Sequence, residues 1–170
     1  MTKFAVELGV PTPLAILCGI GVTALFGLFN GLLVTKLKLP PFIVTLGTFN
    51  IAFAITQLYS NAQTVTDLPP MMTWLGSTFA LGGASVTFGT VLMILLYLGM
   101  WFWLRETGAG RHVYAVGNSP EATRLVGIPT ERVILGVYVL AGVFYGIASL
   151  LSVARTGVGD PNAGQTEALD

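Results

Sequence analysis

Few side chains in this 170-residue chain can do chemistry. Cys18 is the single cysteine and His112 the single histidine. A disulfide within the chain and a cysteine metal cluster are therefore both excluded. Phosphate-loop spacing (GxxxxGK[S/T]) and the zinc-protease pattern HExxH do not occur, and no histidine lies near a credible nucleophile. Gly108-Ala109-Gly110 is an isolated GxG without a third glycine or a preceding strand. The sequence thus offers no catalytic residue, no metal ligand set and no cofactor motif. Cys18 sits inside an apolar run and is expected to be a small buried hydrophobe. His112 is expected in a loop near a membrane surface.

Two other groups of polar residues remain. Asn30, Asn50 and Gln57 carry amides within otherwise apolar runs. An amide at membrane depth is costly unless it is paired or faces a cavity. The three either line a substrate path or hydrogen-bond between helices, and the sequence leaves both readings open. The second group is the stretch Gly117 to Ile128, a polar island between apolar runs. Ser119 is a good N-cap, Pro120 suits the first helical position, and Glu121 lies where the helix dipole favours an anion. Gly127 supplies a C-terminal stop and Pro129 prevents continuation. About two turns of helix are predicted. Ala122, Leu125 and Val126 share one face, with Glu121 and Arg124 turned elsewhere. So short a helix is marginal alone in water, so it is expected to pack on its own membrane domain or on another protein.

The elements that must carry these residues follow from composition. Hydrophobic residues make up 54% and charged residues 9%, against about 25% charged in soluble domains. The solvent is therefore lipid, and the zero net charge argues against a nucleic-acid partner. Four apolar runs, 14–34, 42–59, 86–104 and 133–153, are predicted to span the bilayer. The first run is 21 residues long, or about 31 Å as a helix. Gly27 and Gly31 in it, and Gly136, Gly142 and Gly146 in the fourth, suggest close helix packing. Prolines 11 and 13 precede the first run, which reads as a retained helix and not a signal peptide.

Lys36 and Lys38 in the loop 35–41, and Arg105, Arg111, Arg124 and Arg132 in the loop 105–132, place six of the eight basic residues on one side. The positive-inside rule makes that side cytoplasmic. Loop 60–85 holds no Lys or Arg and is expected outside, with Met71 to Ala80 as a short interfacial helix. Trp101 and Trp103 belong to an aromatic belt. The fold class is all-α: a polytopic integral membrane protein of about four transmembrane helices with a short cytoplasmic helix. No ionisable residue falls inside the predicted spans, which disfavours a proton- or sodium-coupled secondary transporter or a channel. The composition also admits a membrane fragment that transports nothing.

Glu121-Ala122-Thr123, then Arg124-Leu125-Val126, then Gly127 resembles the cytoplasmic loop of ABC importer permeases, roughly Glu-Ala-Ala, three residues, Gly. Thr123 replaces the second alanine. The longer string Tyr114 to Ile128 resembles the ribose, xylose and fructose-type permease family. The stretches Phe29 to Thr48 and Gly164 to Asp170 look like the same family. The resemblance implies a permease subunit of an ATP-driven sugar importer in the inner membrane. It implies a second permease copy, cytoplasmic ATP-binding subunits that carry out ATP hydrolysis, and a periplasmic sugar-binding protein. It implies that Asn118, Pro120, Glu121, Ala122, Arg124, Leu125, Gly127 and Ile128 form the coupling helix against the ATPase. Permeases of this family have about twice as many helices, so the chain is expected to be a fragment of one.

Overall fold

The computed structural model describes residues 1–6, 9–81 and 84–163. The elements in order are α1 (Thr2–Val6), α2 (Thr12–Lys36), α3 (Pro41–Ser60), α4 (Pro70–Thr73), a 3-10 turn (Trp74–Gly76), β1 (Thr78–Leu81), β2 (Ala84–Thr87), α5 (Phe88–Glu106), α6 (Gly108–Asn118), α7 (Pro120–Leu125) and α8 (Thr130–Thr156). The protein is all-α apart from one small hairpin. Four helices, α2, α3, α5 and α8, are long and apolar enough to cross a membrane. Their 25, 20, 19 and 27 residues correspond to roughly 29–40 Å.

Local chemistry sets their ends. Prolines 11 and 40 precede α2 and α3 with extended backbone, and Pro41 opens α3. Thr87 caps α5, its hydroxyl accepting the Thr90 amide at 3.3 Å. Gly157, at φ +70°, ends α8 and donates its amide to the carbonyl of Val153 at 2.9 Å. Glycine reaches that left-handed conformation without a Cβ penalty.

The centre of the molecule is the antiparallel pair α2 and α8. Gly27 and Gly31 face Tyr138, while Gly142 and Gly146 face Thr23 and Ile20. A Cβ on Gly142 would lie 2.5 Å from the carbonyl oxygen of Thr23 and 2.9 Å from the Cα of Ala24. The backbones are in direct contact, as small residues permit between membrane helices. By contrast, α3 buries only Val44 and Thr48, and α5 buries nothing. Most residues of α3 are exposed, and those of α5 are exposed or partly covered.

The two ends of the pair are chemically distinct. At one end Lys36 of α2 donates to Glu131 of α8 at 3.2 Å, and α6 and α7 are attached here. At the other end the connection from α3 folds over α8. Val65 pairs with Gly159 by two backbone hydrogen bonds of 3.0 and 2.8 Å, Met72 is fully buried, and the Gly76 backbone abuts Ala154. Both members of the Lys36–Glu131 pair are more than half exposed, so its net contribution is small. Glu131→Gln is expected to lower stability by less than about 1 kcal/mol, read as a thermal midpoint in detergent. A large drop would mean that the pair is shielded from water.

The structure corrects three expectations. Met71 to Ala80 is not one helix: it holds the end of α4, the 3-10 turn and then β1, which runs antiparallel to β2 with Thr78 opposite Thr87 and Leu81 opposite Ala84. The β-branched and aromatic residues on either side of Gly82-Gly83 are a hairpin signature that outweighed the helical reading. Trp74 stacks on Phe88, the first residue of α5, with ring centroids 4.8 Å apart. Cys18 is exposed on α2 and not buried, because the small residues that bury α2 lie on its other face. Finally, the stretch 105–132 is mostly helical, and His112 lies within α6 and not in a loop.

Candidate functional site

The 117–128 stretch forms the predicted short helix, α7. The Ser119 hydroxyl accepts the Ala122 amide at 3.3 Å and Pro120 takes the first helical position. At the other end Gly127 adopts φ +85°. Its amide donates to Arg124 at 3.0 Å, and the Ile128 amide donates to Thr123 at 3.3 Å. These two bonds make a Schellman closure, which satisfies carbonyls that a helix end otherwise leaves unpaired. Nothing lies within 4 Å of a Cβ built on Gly127. Its requirement is conformational and not steric.

What fastens α7 is a residue that the sequence reading treated only as a departure from a consensus. Thr123 is 5% exposed, the one buried residue of α7. Its hydroxyl reaches the carbonyl of Ala115 in α6 at 2.8 Å and that of Ser119 at 2.7 Å. A hydroxyl has one proton, so the two carbonyls share it. Thr123→Ala should cost about 1 kcal/mol and loosen α7 against α6. Hydrogen exchange over 120–128 should accelerate while the four long helices are unaffected; unchanged exchange would assign the fastening elsewhere.

The platform under α7 is α6, which the sequence reading missed. Thr107 makes the corner between α5 and α6: its hydroxyl accepts the Gly110 amide at 3.1 Å and donates to the Trp103 carbonyl at 2.6 Å. Gly110 is buried with its Cα against the backbone of Leu104, leaving no room for a side chain. The second glycine of the GxG is therefore a packing device, whereas Gly108 has room for a side chain. Thr107 three residues before Gly110, followed by Val113 and Val116, was the available signal for a capped amphipathic helix.

With Thr123 facing α6, the apolar residues of α7 point away. Leu125 is 88% and Val126 75% exposed, and Ala122, Glu121 and Arg124 are exposed beside them. Asn118, the last residue of α6, and Pro120 are exposed too, whereas Ile128 is half-buried. The expected apolar face therefore exists, and among the described residues nothing covers it.

The three amide residues do not converge. Asn50 is exposed on α3 and donates back to the Leu46 carbonyl of its own helix at 2.8 Å. Gln57, near the opposite end of α3 from the loop before it, donates to Asn162 at 2.6 Å. Asn30 lies on α2, where its Oδ1 is buried and accepts no hydrogen bond among the described residues. Two hollows lie at the α6 end, and none of the three amides lines either. One of about 500 Å³ lies between α5 and α6. Another of about 310 Å³ lies beside α8, lined by Trp103, His112, Val113 and Arg132 among others. The resemblance of Gly164 to Asp170 lies outside the described residues.

Comparison with known proteins points to a permease family. A family profile described as "Branched-chain amino acid transport system / permease component" matches residues 1–170. The chain is 41% identical to the fructose import permease protein FrcC of Rhizobium meliloti, over 97% of this chain and 47% of that protein. It is 33% identical to the ribose import permease protein RbsC of Bacillus subtilis, over 95% of this chain and 50% of the other. It is 30% identical to the galactose/methyl galactoside import permease protein MglC of Haemophilus influenzae, over 96% of this chain and 50% of the other. The chain thus spans about half the length of the curated relatives it matches. No solved structure matches it.

Proposed function

The chain belongs to the permease-component family of branched-chain amino acid transport systems, and we propose that it forms membrane-spanning structure of an ATP-driven monosaccharide importer. In this reading α7 is the coupling helix. It inserts its Leu125–Val126 face into a groove of a cytoplasmic ATP-binding subunit, which carries out the hydrolysis. The basic end of the α2–α8 pair faces the cytoplasm. A second permease copy completes the translocation path, and a periplasmic sugar-binding protein delivers the substrate at the opposite end. Fructose, ribose and galactose are the sugars named for the relatives, and a monosaccharide of this kind is the proposed cargo.

One observation carries the reading: two large aliphatic side chains are fully presented on a short helix that is capped at both ends and pinned from behind by Thr123. An amphipathic helix offered on a rigid base suits helix-in-groove recognition. Leaving it uncovered in water would expose apolar surface without compensation. Asn30, with its unused buried acceptor, remains the best candidate of the three amides for contact with substrate or with a further helix. Asn50 and Gln57 would serve only where another helix or protomer faces α3. The test is capture of the ATP-binding subunit by the membrane-inserted chain in detergent. Specific capture supports the reading, and its absence from an intact, inserted chain counts against it.

A further inference from the structure

The hollow between α5 and α6 is unused by the coupling reading. Tyr97, Trp101, Leu104 and Arg105 line it from α5, and Arg111 and Tyr114 line it from α6. Its chemistry is graded along α5. Arg105 lies at the end of the helix and Tyr97 eight residues earlier, about 12 Å deeper into the span. Arg105 is therefore at one end, Arg111 lines the same hollow from α6, and the rest of the α5 wall is aromatic and aliphatic. The Arg105 guanidinium carbon lies 5.3 Å from the centroid of the Trp101 ring, a cation–π arrangement that holds it at the rim. Its pairing with Glu106, at 3.6 Å with both side chains more than half exposed, neutralises little of its charge. Among the described residues no carboxylate pairs with Arg111. α5 buries none of its residues, and Tyr97 and Trp101 are at least half exposed, so the groove is open to whatever surrounds the helix.

A ligand that fits this gradient is an anion with an apolar tail, standing upright at the membrane interface. We infer that the groove is a binding site for an anionic phospholipid, its phosphate held between Arg105 and Arg111 and an acyl chain laid along Trp101 toward Tyr97. Two converging cations with aromatic neighbours match the chemistry of headgroup pockets between membrane helices. The assignment needs α5 in the bilayer and nothing from the docking of α7, so the two readings fail separately.

The test uses the full chain purified from its membrane. Native mass spectrometry should find phosphatidylglycerol retained about tenfold more than phosphatidylcholine, a difference of about 1.4 kcal/mol, within what two basic contacts supply. Arg105→Gln with Arg111→Gln should bring phosphatidylglycerol down to the phosphatidylcholine level. Arg105→Lys with Arg111→Lys should keep most of it, which separates lost charge from lost fold. In a Trp74→Phe, Trp103→Phe background, brominated phosphatidylglycerol should quench Trp101 more strongly than brominated phosphatidylcholine. Equal retention of the two lipids, retention indifferent to the glutamine pair, or equal quenching would each overturn the assignment. So would a disulfide between two copies through Tyr114→Cys in a Cys18→Ser background, formed in lipid, because a second copy would then fill the groove.

Discussion

Gly142→Leu is expected to abolish the packed α2–α8 pair. The Cβ alone would lie 2.5 Å from the Thr23 carbonyl oxygen and 2.9 Å from the Cα of Ala24, and neither atom can rotate away. Relief requires the two backbones to separate, which also removes the contacts at Gly27, Gly31 and Gly146. The cost should reach or pass the upper end of ordinary overpacking, about 3 kcal/mol. In detergent the variant should lose its thermal transition and become sensitive to protease along α8. Leucine at Gly47 or Gly99 provides the contrast. Nothing lies within 4 Å of a Cβ at either position, and leucine is the better helix former, so those variants should be at least as stable as the parent. A Gly142→Leu protein with the parent's melting curve would rule out backbone contact between α2 and α8.

Leu125→Asp combined with Val126→Asp should remove capture of the ATP-binding subunit while leaving the chain folded. The side chains are 88% and 75% exposed, so their replacement disturbs few contacts inside the chain. If both are buried in a docking groove, each contributes on the order of 1.5–3 kcal/mol. Two carboxylates brought into the same groove would add a desolvation penalty. Loss of affinity by a factor of about 100 or more is expected. Thermal midpoint and hydrogen exchange of α6 should be unchanged, which distinguishes this pair from Thr123→Ala. Undiminished capture would move the coupling surface away from α7 altogether.

The parts of the fold that were legible in sequence are those governed by local rules. Proline positions, the Ser119 cap, the Gly127 stop and the four apolar runs each act within a few residues. The all-α membrane class followed from composition, and the family from the strings Tyr114 to Ile128 and Phe29 to Thr48. What was not legible depends on direction. The apolar content of α7 was evident, but its outward orientation follows from Thr123, whose hydroxyl reaches back eight residues to Ala115. Cys18 looked buried because its neighbours in sequence are apolar, yet in a membrane helix apolar neighbours say nothing about which face meets protein. The amides of α3 were ambiguous for the same reason: Asn50 donates to its own helix and lies exposed, so its role is set by whatever lies against α3. The α5–α6 groove required two arginines six residues apart to be folded around the Thr107 corner, which no periodicity reports.

The pairing of α2 with α8 also sets an order of events during biosynthesis. Ile20 meets Gly146, and Gly31 meets Leu135, contacts separated by more than a hundred residues of chain. At about 5–20 residues per second, α2 waits on the order of 5–25 s in the bilayer before its partner is made. Throughout that interval its glycine-lined groove, shaped for close approach by another backbone, is open to any neighbouring helix, including α2 of another nascent copy. Faithful assembly then depends less on how tightly the finished pair holds than on how rarely that vacant groove is filled beforehand.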